Sequence, residues 1–179
     1  MVTEDIKERV VSYIAHQATK QPPDLRALIE RERVRLLGLL DGLTEAQASW
    51  QPKPGEWSVK DVLHHVLAAE RGVVEIVTSL ASGVVPEGER QLGRQDPDES
   101  SSLGELVARL DGERRRLLAF VDSLSPSANL SVTFPHPFFG PLNCKEWVAF
   151  QRIHDGDHIG QIEKVKALEG FPALQPHGG

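Results

Sequence analysis

The stretch from Cys144 to Leu168 reads as one helix, and the rest of the chain must be arranged around what it carries. Asn143 is a good N-cap, and Glu146, three positions on, can complete a capping box. Successive helical residues turn by about 100°, so Trp147, Phe150, His154, His158, Gln161 and Val165 share one stripe. Most of that stripe is apolar and faces a core, so it takes two imidazoles and an amide inward. His154 and His158 are four residues apart, one turn from each other on the same face. That is what a helix offers to a metal ion.

Four further segments carry the helical period. Residues 3–19 form a short amphipathic helix, with Thr3 as its cap and Ile6, Val10, Val11 and Ile14 as its apolar side. Pro22 and Pro23 break it. From about Pro23 to Leu43, Leu25, Leu28, Ile29, Val34, Leu36, Leu37 and Leu40 make a broad apolar stripe. The following LTEAQASWQPKPGEW reads as loop, with Trp50 as a lid on the bundle end. Ser58 and Asp61 then resemble a capping box for a helix to about Ser82, and Trp57 could staple against Val62. Its core stripe is Val59, Val62, Leu63, Val66, Val73, Val74, Val77 and Leu80. Residues 83–99 are polar and rich in glycine and proline, hence a long loop. Ser100 or Ser101 starts the next helix, to about Leu124, with Leu103, Leu106, Val107, Leu110, Leu117, Leu118 and Val121 inward, and Ser125-Pro126-Ser127 stops it. The segment from Leu130 to Asn143 is extended in character and suits two short strands or an irregular arm. Gly170, with Pro172 beyond, ends the last helix. Five helical segments with hardly any strand pattern give an all-α bundle. The expected divisions are an amino-terminal helical extension over 1–22, the bundle over 23–170 and a loosely ordered tail over 171–179, which includes His177.

With 179 residues, 40% of them hydrophobic, the chain is long enough for one domain with one sizeable core. A formal charge of −6 argues against a nucleic-acid surface, which needs a basic excess. Arg114, Arg115 and Arg116 read as a solvated face rather than an exception. No apolar run reaches membrane-spanning length, and the charged first ten residues lack a secretory pattern. One cysteine allows no internal disulfide and suits a reducing cytoplasm. A helix dipole could lower the pKa of Cys144, but the reading preferred for it is a small packing residue.

Helical geometry separates two adjacent histidines. His64 falls on a flank with Lys60, Arg71 and Glu75 and is expected in water. His65 falls on the opposite flank with Ser58, Ala69, Gly72 and Ile76, where small residues leave room for a metal, a ligand or another helix. Together with His154 and His158 it makes a candidate ligand set. Asp61, one turn earlier, could accept from the second ring nitrogen of His65. Gln161 could orient bound water or substrate, or tie two helices together. Asp155 and Asp157 lie on other helix faces and are expected as solvated charges. His16 is expected near a helix end and His136 in an exposed loop, although the latter could line the pocket.

The combination resembles a known family. GEWSVKDVLHHVLAAE resembles the opening of helix two in the DinB-like (DNA-damage-inducible) four-helix-bundle proteins, and HDGDHIGQI resembles their second signature, H-x-x-x-H-x-x-Q. PHPFFGPLN resembles the connector into their last helix. Aligned from Trp57-Ser58, the family's first histidine falls on His65, and His154 and His158 take the other two positions. The resemblance implies an up-and-down four-helix bundle of the DinB-like type, with the extra amino-terminal helix and the short extended arm as additions. It implies one divalent ion on three histidines, and often a homodimer. Activities in the family include metal-dependent transfer of low-molecular-weight thiols, maleylpyruvate isomerisation with a thiol cofactor and hydrolysis. Imidazole ligation suits zinc, nickel or iron(II). The function expected is therefore activation of a small thiol or water toward a small-molecule substrate, with a thiol S-transferase-like reaction preferred. The alternatives are a metal-dependent hydrolase, weakened by the lack of an obvious carboxylate base, and a non-catalytic stress-response metal-binding module. An apo bundle with core histidines is the remaining competitor.

Overall fold

The computed structural model describes residues 4–88, 100–125 and 128–173. The expectations for Thr3, for 89–99, for Pro126 and Ser127 and for His177 lie outside the described residues. Helices α1 (Glu4–Ala18), α2 (Pro22–Leu40), α3 (Glu45–Ser49), α4 (Val59–Ala81) and α5 (Leu103–Ser123) precede a hairpin of β1 (Phe134–His136) and β2 (Gly140–Leu142); α6 (Cys144–Lys166) closes the chain. The expected four-helix bundle is there, formed by α2, α4, α5 and α6. In cross-section the order round the bundle is α2, α6, α4, α5. One refinement concerns direction. Residues 59–67 of α4 and 103–110 of α5 share one apolar cluster, and 73–80 and 117–121 share the other, so α4 and α5 run the same way. Neighbouring helices that run the same way need a long connection between them, and α4 ends at Ala81 while α5 begins only at Leu103.

The starts of the helices follow from their caps. Ser58 accepts from the Asp61 amide while Asp61 accepts from the Ser58 amide. Asn143 and Glu146 do the same for α6, and Ser102 and Glu105 for α5. A third-position acid also suits the positive end of the helix dipole. The five-residue α3 stands where a loop is expected; Thr44 and Gln47 form a capping box that closes a single turn there. Trp50 does cover the bundle end, packing edge-on against Phe171 at 5.5 Å.

Helix α1 packs on α6, and its Ile14 is fully buried among Leu25, Ile29 and Val148. Lys145 Nζ also donates to the Lys20 carbonyl at 2.8 Å. Of the residues expected on apolar stripes, Ile6 and Val34 are exposed, the latter at 70%. Val34 sits between Arg33 and Arg35, beyond the edge of the face that α2 turns to its neighbours.

The core is divided. One apolar cluster holds Leu25, Ile29, Val73, Leu117 and Trp147; the other holds Leu36, Val62, Leu106 and Ile159. Between them each bundle helix contributes a buried charged residue to a central layer: Arg33 on α2, Glu70 on α4, Arg114 on α5 and Asp155 on α6; Glu32 and Glu113, beside two of these, are buried as well. Two expectations are corrected here. Arg114 is not on the solvated face that Arg115 and Arg116 occupy, because it follows Leu110 by one turn and shares that inward stripe. Asp155 is likewise not solvated, because it follows Gln151 and precedes Ile159 on the buried side of α6. Asp157 is exposed, as expected.

Candidate metal centre

Helices α4 and α6 are neighbours, and at the level of the charged layer they bring His65, His154 and His158 together. One ring nitrogen from each lies within 4.8 Å of the other two. His65 Nε2 and His154 Nε2 are 3.3 Å apart. The ring centroids are separated by 5.3 Å for His65–His154, 4.7 Å for His65–His158 and 4.5 Å for His154–His158. Two ring nitrogens at such a distance need a proton or a cation between them. A tetrahedral ion with metal–nitrogen bonds of about 2.0–2.1 Å sets its donors roughly 3.3 Å apart, so the donor set suits one. His65 and His154 are half-buried, and His158 is more covered.

Gln161 Oε1 lies 2.9 Å from His158 Nδ1. With the amide oxygen facing the ring, Nδ1 carries the proton and donates, which leaves the Nε2 lone pair for a ligand. Of the two roles expected for Gln161, orienting a bound group and tying helices, neither describes this bond: it holds a neighbour one turn back on its own helix. The Oδ2 of Asp61 is engaged in the α4 cap, accepting from the Ser58 amide and hydroxyl at 2.8 Å each and from Gln51 Nε2 at 3.3 Å.

An aromatic wall flanks the histidines. Trp57 lies 5.4 Å from the His65 ring and Phe150 lies 5.8 Å from the His154 ring. Phe150 continues to His136, 4.4 Å away, which stacks on Phe139 at 4.7 Å. His136 is therefore buried rather than exposed. The hairpin turn folds over it, and its Nδ1 accepts from the Phe138 and Phe139 amides at 3.2 and 3.3 Å. Gly140, at φ +79°, supplies the left-handed residue that closes this turn. The proline-flanked sequence of His136 carries no signal for that burial. On α4, an added Cβ at Gly72 would meet nothing within 4 Å, in keeping with the space expected beyond His65.

His64 is buried, contrary to the expectation of a solvated ring. Helix α4 packs against both α5 and α6, so both its flanks are covered. His16 is exposed near the end of α1, as expected. Cys144 is buried, and that burial pushes its thiol above the ordinary value, outweighing the helix start. It packs, as preferred, and is poorly suited to act as a nucleophile. No helix among the described residues is long and apolar enough to cross a membrane.

Comparison with known proteins agrees with the four-helix-bundle fold. Residues 28–162 match the family model of the DinB superfamily. The chain is 23% identical over 156 residues to the uncharacterized protein YuaE of Bacillus subtilis (strain 168), a match covering 78% of this chain and 96% of that protein. It also resembles the crystal structure of TT2238, a four-helix bundle protein, with a TM-score of 0.63 and 27% identity, over 80% of this chain and 99% of that one.

Proposed function

The chain belongs to the DinB superfamily, and on that premise we propose that His65, His154 and His158 hold one divalent ion and that the site activates a small thiol for transfer to an electrophilic small molecule. The observation that carries this reading is the convergence of three ring nitrogens, with no carboxylate among them, from two helices onto one point. When bound, zinc, nickel or iron(II) would supply a Lewis acid that makes a thiol or water nucleophilic near neutral pH.

The chain's own residues supply the rest. Gln161 keeps the His158 proton on Nδ1, so that ring can ligate only through Nε2. Trp57 and Phe150 screen two of the rings and limit the approach of water. The half-buried edges of His65 and His154 leave a side open to substrate. A thiol is acidic enough to lose its proton beside a cation without a protein base. Hydrolysis would be helped by a carboxylate base, but Asp155 is committed to Arg114 and Asp157 faces water. This favours thiol transfer over the hydrolase. The non-catalytic module is disfavoured because three imidazoles leave coordination positions open.

A cytoplasmic setting and a homodimer belong to the same proposal, supported by the lone buried cysteine and by the family resemblance; sedimentation equilibrium tests the dimer. The central experiment is metal analysis and calorimetric titration with zinc and nickel on the wild type and on His65→Ala, His154→Ala and His158→Ala. One ion per chain, lost in each variant, is expected. Unchanged metal content in all three would overturn the ligand set. Turnover of small thiols with electrophilic acceptors then separates transferase from passive module.

A further inference from the structure

We propose that Arg114 is a positioning residue for the histidine site, holding α4 and α6 at the register in which His65, His154 and His158 meet. The inference rests on the metal reading above. Arg114 projects from α5, which carries none of the three histidines, and its guanidinium reaches each of the other bundle helices. Nη1 donates to the Ile29 carbonyl of α2 at 3.2 Å. Nε lies 2.6 Å from Glu70 Oε1 on α4. Nη2 donates to Asp155 Oδ2 on α6. The side chains of Arg114, Glu70 and Asp155 are 2%, 0% and 0% exposed. Asp155 is further fixed by Gln151 Nε2 at 3.0 Å, and Arg33 of α2 donates to the second oxygen of Glu70. Two arginines thus face two carboxylates, while the flanking Glu32 and Glu113 pair outward, with Arg35 and Arg152 and with Arg71 and Arg116.

The clamp is close to the site along both helices. Asp155 is the neighbour of His154, and Glu70 follows His65 by five residues, about 7.5 Å along the axis. A slip of one residue between α4 and α6 would shift a ring by about 1.5 Å and turn it by about 100°. A three-point site does not survive that. The valines and leucines above and below the layer constrain such a slip weakly, since apolar contacts are not directional. The Arg114 guanidinium, hydrogen-bonded to Asp155 and in ionic contact with Glu70, favours the one offset that serves both carboxylates. Stability alone does not account for the layer, because buried ion networks can often be replaced by apolar groups at no loss. Fixing the register is the best-attested use of such groups.

The test compares wild type, Arg114→Lys and Glu70→Gln by thermal melting and by calorimetric titration with zinc. Lysine keeps the charge but loses the fork, and glutamine keeps the shape but loses the ion pair. Apparent zinc affinity is expected to fall about 10–100-fold in both, the size of effect typical of groups that orient ligands. A variant that is only partly folded loses apparent affinity in proportion to its folded fraction. A loss beyond that fraction supports positioning; a loss equal to it, or none, overturns it and leaves a purely structural layer. The two readings fail separately. Wild type that binds no zinc, or that binds it equally after His65→Ala, sinks the metal site. Zinc binding that needs His65 but ignores Arg114 and Glu70 sinks this inference alone.

Discussion

The bond between His158 and Gln161 ties the protonation of one ring to a spacing of three residues on one helix. Gln161→Leu removes the acceptor and leaves Nδ1 without it, so the ring is free to present either tautomer. Zinc affinity is expected to drop about 10–100-fold with little change in melting temperature, as titration calorimetry beside a thermal scan would show. Unaltered affinity would mean that the amide serves only packing. At this scale the sequence was readable where helical phase decides. His65 and His64 are adjacent, and phase put the former on the flank with Ala69 and Gly72, which the structure turns toward His154. Phase also put His64 in water, and there it misled, because exposure depends on how many neighbours flank the helix, and α4 has α5 on one side and α6 on the other. His136 was illegible for a different reason. Its burial comes from a turn that folds two aromatic residues back over the ring, an arrangement with no periodic signature.

Elements were legible through their ends. Asn143, Ser58 and their acidic partners three residues on mark the starts of α6 and α4, because unsatisfied amides at a helix start need side-chain acceptors. Asn143 Oδ1 accepts from both the Lys145 and Glu146 amides. Asn143→Ala is therefore expected to cost about 1 kcal/mol in urea unfolding, and Asn143→Asp to cost much less. Equal losses would show that the cap is not what the asparagine contributes. Less legible were the charges set inside apolar stripes. Glu70 stands one turn from both Val66 and Val73, and Arg114 one turn from Leu110, so each occupies a core position by spacing. A solitary charge in a stripe looks like a gap until three other helices each show one. Arg114 was further hidden by Arg115 and Arg116, whose company suggests a surface run.

For the whole molecule, the charged layer brings a dependence on pH. Burial pushes the Glu70 carboxyl up from 4.5, against the pull of Arg114 and Arg33. The folded chain then holds that proton more tightly than the unfolded chain. The corresponding stability is complete below about 4.5 and is lost as pH rises through the higher folded value. Glu70→Gln mimics the protonated group at every pH. Wild type is expected to lose stability relative to Glu70→Gln as pH is raised through this window, measured by the difference in urea midpoints; a flat difference would refute the assignment. The pairing of helices across the bundle, the shared direction of α4 and α5 and the two apolar clusters depend on contacts far apart in the chain, which no local pattern announces. The division has a consequence for how the protein tolerates change. Leu25 and Leu106 sit on opposite sides of the ionic belt in separate apolar clusters, so truncating both should cost the sum of the separate costs. Each half of the interior can thus be refilled with new side chains while the other stays as it is.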